Sequence, residues 1–169
     1  MRRLVVTTAA VISLALCLGS IVAASGGAVV DTFPVSFVLT SATCSKLPAG
    51  TVLTGSGTET SITTTKVDRD GVVTIENSSH AKGTATDQAG NTYVFNYSNE
   101  FRATLDGNVL SGLMTDAFAL AGPGPARLNN GFVGHFVSDF ATFFTVPHVI
   151  SSHGDPLDFV TGEAHCDPL

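Results

Sequence analysis

The sequence predicts an all-β protein: an antiparallel up-and-down β-barrel of seven or eight strands, with a two-sheet β-sandwich as the alternative. Three observations point there. Charged residues are only 13 % of the chain, and Thr, Ser, Gly, Val and Ala supply its bulk; β-branched residues favour strands, while Gly and Asn serve the turns between them. Turn signals recur between Thr/Val-rich or aromatic-rich runs. Finally, Cys44 follows the first strand-like run and Cys166 stands three residues from the last residue, Leu169.

A leader precedes these elements. Met1-Arg2-Arg3 gives a positive start, an apolar run extends from Leu4 through Val22, and Val22-Ala23-Ala24 offers small residues for cleavage. This is the three-part pattern of a secretory signal peptide. The expected organisation is a signal peptide over residues 1–24 and a single β-barrel domain over residues 25–169. A retained membrane anchor is the rival, since about 19 apolar residues just span a bilayer. Gly26-Gly27 and the lack of a basic stop-transfer cluster favour removal. Lipid attachment at Cys17 is a further possibility, disfavoured by Leu16 where lipoprotein signals place a small residue.

The strands follow in order. Phe33–Thr40 opens the series, then Thr51–Val67 and Val72–Thr86 flank the turn Asp68-Arg69-Asp70-Gly71. Asp87-Gln88-Ala89-Gly90-Asn91 leads into Thr92–Leu105, and Asp106-Gly107-Asn108 into Val109–Ala121. Gly or Asn in each turn accepts the positive φ that a tight reversal needs. No proline interrupts Thr51 to Ala121, as central strands require. The clearest alternation puts Tyr93, Phe95, Tyr97, Asn99, Phe101, Ala103 and Leu105 on one face, with Thr92, Asn96, Ser98, Glu100 and Arg102 opposite. In the next strand Leu110, Met114, Phe118 and Leu120 share a face with Asp116. Gly122-Pro123-Gly124-Pro125 is a looser loop. Phe132–Val146 reads as a strand through Phe132, Phe136 and Phe140, or as an aromatic helix; Gly131 and Gly134 weigh against the helix. One or two short strands complete the chain before Cys166, past a break at Asp155-Pro156.

Two cysteines in an exported chain pair by default, with free thiols as the other possibility. Disulfide-bonded α-carbons lie within about 7 Å of each other, so a Cys44–Cys166 bridge brings the first and last strands together. A closed barrel makes them neighbours; an open meander holds them apart.

Fourteen carboxylates against Lys46, Lys66, Arg69, Lys82, Arg102 and Arg127 make the mature chain acidic. Such a surface repels phosphate backbones, so nucleic acid is not an expected partner; the membrane enters only through the signal peptide before cleavage. Among the histidines His80, His135, His148, His153 and His165, the tail also holds Asp155, Asp158 and Glu163. No zinc-ligand spacing appears there, a polar loop explains the group, and no metal or cofactor is expected. Asp116, sharing a face with Leu110, Met114 and Phe118, points inward. Burial raises a carboxyl's pKa, and functional carboxyls are found in such surroundings; a structural role, bonded to a tyrosine hydroxyl or a strand-end amide, is the alternative. Tyr93, Phe95, Tyr97, Phe101, Met114, Asp116 and Phe118 form the candidate pocket for a small apolar ligand, against the alternative of an interior filled by packing. His135 and Asp139 read as a solvated pair. Asn77-Ser78-Ser79 and Asn96-Tyr97-Ser98 match the glycosylation sequon. No catalytic motif is present, and catalytic residues are not assigned.

Leu47-Pro48-Ala49-Gly50, the run Gly83-Thr84-Ala85-Thr86-Asp87 continuing to Gly90-Asn91-Thr92-Tyr93, and Thr115-Asp116 with Phe118 and Leu120 resemble segments of small secreted bacterial proteins, mainly actinobacterial, with no assigned activity. The hairpin layout is similar to that of the allene oxide cyclase and dirigent barrels, which bind apolar ligands or reactive intermediates. No residue matches the catalytic positions of either, so what the resemblance implies is architecture. The leading expectation is a secreted binding or scaffold module for a small apolar ligand. The alternatives are a cyclase- or isomerase-type enzyme using the barrel interior with Asp116 and a tyrosine, and a cell-surface interaction protein.

Overall fold

A computed structural model describes residues 27–141, 149–154 and 166. The expected leader, Cys17, the tail group of His148, Asp155, Asp158, Glu163 and His165, and the last part of the Phe132–Val146 strand lie outside the described residues. Seven strands are present: β1 (Ala28–Thr40), β2 (Val52–Val67), β3 (Val73–Asp87), β4 (Thr92–Asp106), β5 (Val109–Ala121), β6 (Leu128–Asp139) and β7 (Val149–Gly154). They form one antiparallel sheet in chain order, each strand paired with the next. No crossover is needed, because short loops join neighbours that run in opposite directions.

The turns show how the sequence enforces this. Asp68 and Asp87 head loops of the same design. In each, the aspartate Oδ1 accepts backbone N–H bonds from the residues two and four positions on, at 2.9 Å. Gly71 and Gly90 then take φ of 85° and 83°, a region that side chains with a Cβ avoid. The aspartate closes the loop and the glycine reverses the chain.

The sheet curls strongly. Phe37 of β1 places its ring 5.1 Å from that of Phe95 on β4 and 5.9 Å from that of Phe118 on β5. Neighbouring strands lie about 4.8 Å apart, so a flat sheet would hold β1 and β5 about 19 Å apart. Glycines on the concave side make room for the rings: a Cβ at Gly55 would strike the Phe37 ring, and one at Gly83 the ring of Phe95 and the backbone of Ser56.

One end of the sheet is tied by loop and covalent contacts. Cys44 and Cys166 form a disulfide with α-carbons 4.8 Å apart. The Cys166 N–H donates to Thr43 O at 3.0 Å, and Asn130 of β6 donates through Nδ2 to Cys166 O at 3.2 Å. The bridge thus ties the β1–β2 loop to β6. Among the described residues β1 and β7 share no hydrogen-bonded ladder.

Two apolar clusters line the concave face. The upper one, nearest the disulfide, includes Phe37, Leu39, Leu53, Tyr93, Phe95, Phe118, Leu120 and Leu128. The lower one comprises Val73, Ile75, Phe101, Ala103, Leu110 and Phe136, with Leu105, Met114 and Phe140 packed against it. Burying each large apolar side chain contributes about 1.5–3 kcal/mol, so the sheet has two centres of stability with a gap between them.

Two strands, β1 and β6, depart by more than one residue from the sequence reading. β1 begins at Ala28, five residues before Phe33, because Ala28 through Thr32 pair with Thr64 through Thr60. Pro34 sits inside this strand without cost because β1 is an edge of the sheet and needs donors on one side only. β6 spans Leu128–Asp139 with strictly alternating burial. Asn129 and Asn130 resemble loop residues, but Asn130 is buried against Cys166. The strand ends at Asp139, whose Oδ1 accepts from Ala141 N at 2.8 Å.

Candidate functional site

Between the two apolar clusters, strand register assembles a polar belt. One line of directly paired residues on the concave face reads Asp31, Ser61, Ser79, Asn99 and Asp116 from β1 to β5. The line above it reads Phe33, Glu59, Ala81, Tyr97 and Phe118. Alternation dictates the facing: Glu59 shares its side of β2 with Leu53, and Asp116 its side of β5 with Phe118 and Leu120. Glu59 and Asp116 are each only 8 % exposed.

The belt has two hydrogen-bonded halves. Across β4 and β5, Tyr97 donates its hydroxyl to Asp116 Oδ1 at 2.6 Å and Asn99 donates Nδ2 to the same oxygen at 2.8 Å. Across β2 and β3, Asn77 Nδ2 donates to Ser61 Oγ at 2.7 Å and Thr63 Oγ1 at 2.8 Å. Ser79 Oγ donates to Asn77 Oδ1 at 3.2 Å.

Burial sets the protonation of these groups. Loss of solvent pushes the Glu59 pKa above its ordinary value, against a smaller lowering by Ser79. Tyr97 is raised well above the usual phenol range, first by burial and then by the charge of Asp116 and the bond to it, with the Glu59 charge adding to the effect. Tyr97 therefore stays neutral and remains a donor. Of the two carboxylates, Asp116 is the one in contact with the phenol.

A separate network closes the upper end. Tyr93 donates its hydroxyl to Asp87 Oδ2 at 2.8 Å, Asn91 Nδ2 donates to the same oxygen at 2.8 Å, and Ala126 N donates to the Tyr93 hydroxyl at 3.4 Å. These bonds, chiefly that from the Asn91 side chain, hold the Asp87 pKa below its usual value; burial raises that of Tyr93. This network locks the β3–β4 turn to the loop before β6.

All seven candidate pocket residues lie on the concave face, but at three levels. Tyr93, Phe95 and Phe118 belong to the upper cluster, Phe101 and Met114 to the lower one, and Tyr97 and Asp116 to the belt between. Phe101 stacks on Phe136 with ring centroids 5.3 Å apart. The sequence reading missed Glu59, Ser61, Asn77 and Ser79. Their signal was available: in Leu53-x-Gly55-x-Gly57-x-Glu59-x-Ser61 the alternate positions change from apolar to small to polar, marking where the core gives way to the belt. Asn77, noted only as a sequon, is turned inward with its amide engaged, whereas Asn96 is exposed. His80, His135 and His153 are exposed, and the described residues hold no cluster of three or more His, Cys, Asp or Glu fit for a metal.

No protein-family model, no curated protein and no solved structure matches this chain.

Proposed function

We propose that this protein is an exported binding module whose curled sheet, completed as a barrel, takes a small apolar ligand along its concave face. One observation carries the reading: a polar belt containing Tyr97 and Asp116 is set between two aromatic-rich clusters. Such an arrangement suits a molecule with apolar ends and one polar group near its middle, since a few convergent polar groups in an apolar lining fix a ligand's orientation. Export is supported by the Cys44–Cys166 disulfide, because disulfides persist in oxidising compartments, and by the leader pattern of residues 1–24. The acidic balance favours a neutral or cationic ligand over a phosphate-bearing one.

Titration of the mature protein with the apolar fluorophore N-phenyl-1-naphthylamine tests this. Saturable one-to-one binding is expected, weakened about tenfold or more by Phe118→Ala, which removes a buried ring and roughly 1.4 kcal/mol or more of contact. Absence of saturable binding by the folded wild-type protein overturns the reading.

A further inference from the structure

On the concave face, one directly paired row runs Phe33, Glu59, Ala81, Tyr97 and Phe118 from β1 to β5. It sets a single carboxylate among aromatic rings and one methyl group. Glu59 is only 8 % exposed, and among the described residues no hydrogen bond or salt bridge of ordinary geometry reaches its carboxylate. The Ser79 hydroxyl, in the neighbouring row of β3, donates to Asn77 at 3.2 Å. The strand cations stand on the other side of the sheet: Lys66, Lys82 and Arg102 are exposed on the convex face, where Lys66 and Arg102 pair with Glu76. Among the described residues no side-chain oxygen or nitrogen is both sealed from solvent and without a partner, so the Glu59 oxygens remain open to the space inside the curl.

Other donors of the belt are committed. Tyr97 O–H and Asn99 Nδ2 give theirs to Asp116, and Asn77 gives its amide protons to Ser61 and Thr63. An occupant that meets Glu59 must therefore bring its own donor. A positive charge on that donor is favoured, because Asp31 and Asp116 stand on the same face. Burial raises the Glu59 pKa, the response of a carboxylate that the protein supplies with no cation.

We propose that Glu59 is the counter-ion for a protonated amine of the ligand, seated over Ala81 between the carboxylate and the rings of Phe33 and Tyr97. An ammonium gains twice there: its N–H groups bond to the carboxylate, and its charge lies against aromatic faces. Ala81 contributes by being small, since a longer side chain at its place in the row would fill the gap between Glu59 and Tyr97. A bare metal ion fits less well. It needs several oxygen ligands at once, and the described residues hold no group of three or more His, Cys, Asp or Glu able to supply them. This role for Glu59 rests on the binding function proposed above and defines the central polar group of the ligand.

Isothermal titration calorimetry near neutral pH compares dibenzylammonium with dibenzyl ether, its uncharged isostere. The wild-type protein should bind the ammonium about tenfold or more tightly than the ether, and Glu59→Gln should abolish that preference. Glutamine keeps the shape and removes an uncompensated buried charge, so the variant should resist urea at least as well as the wild type. Its retained binding of N-phenyl-1-naphthylamine would show that the rest of the site is intact. Equal wild-type affinities for the two probes, or a preference unchanged in Glu59→Gln, overturns the role of Glu59; N-phenyl-1-naphthylamine binding then still upholds the binding module. If none of the three molecules binds the folded wild-type protein, the binding function falls and the amine site with it.

Discussion

Removing the disulfide with Cys44→Ala and Cys166→Ala together should cost about 3–5 kcal/mol. The bridged residues are separated by 122 positions. For a loop of that size the chain-entropy relation gives about 16 cal/mol/K, or about 4.9 kcal/mol at 25 °C, as the restriction lifted from the unfolded chain. Residual structure in the unfolded state lowers the figure. Alanine is the right replacement because both cysteines are 0 % exposed, and a serine hydroxyl there would add a desolvation cost of its own. The Cys166 N–H to Thr43 and Asn130 to Cys166 O bonds use backbone atoms of residue 166 and survive the change. Urea unfolding followed by far-UV circular dichroism suits a chain with no tryptophan. The midpoint should fall, and the slope should rise as the unfolded chain expands. In a thermal scan the loss corresponds to about 10 °C. A loss below about 1 kcal/mol would refute the argument, because it would mean the unfolded chain already holds its ends together.

Phe118→Ala removes a buried ring that meets Phe37 and Phe95; a loss of about 3–5 kcal/mol in urea unfolding is expected. Tyr97→Phe deletes the donor to Asp116 and should cost about 1.5–3 kcal/mol, the range for a hydrogen bond to a charged group; a neutral effect would show that water or another donor replaces the phenol. Asp87→Asn should flatten the acid limb of the stability profile. The Asp87 pKa is lowered in the fold, so its contribution is present above the unfolded value of 3.8 and lost as pH falls through the folded value. An acid limb unchanged in that variant would assign the loss to other carboxylates.

The class of fold was legible because hairpin chemistry is local. Asp68 through Val72 and Asp87 through Asn91 carry both the aspartate that caps the turn and the glycine that reverses it. The apolar half of the interior was legible for the same kind of reason: Tyr93, Phe95 and Phe101 alternate on one strand. The polar belt was harder to see, because it arises from register across strands. Ser61, Ser79, Asn99 and Asp116 are far apart in sequence and become neighbours only when three hairpins fix their pairing. The start of β6 was also hard to see: its aromatic alternation begins at Phe132, and the contact of Asn130 with Cys166 is tertiary, which no local pattern announces.

The most direct test of the binding account is native mass spectrometry of the protein recovered from the medium of its own host. The account predicts a chain that begins near Ser25, lighter by two hydrogens for the Cys44–Cys166 bond, carrying one small apolar molecule that leaves on unfolding. Bare folded protein that also fails to take up N-phenyl-1-naphthylamine would contradict it.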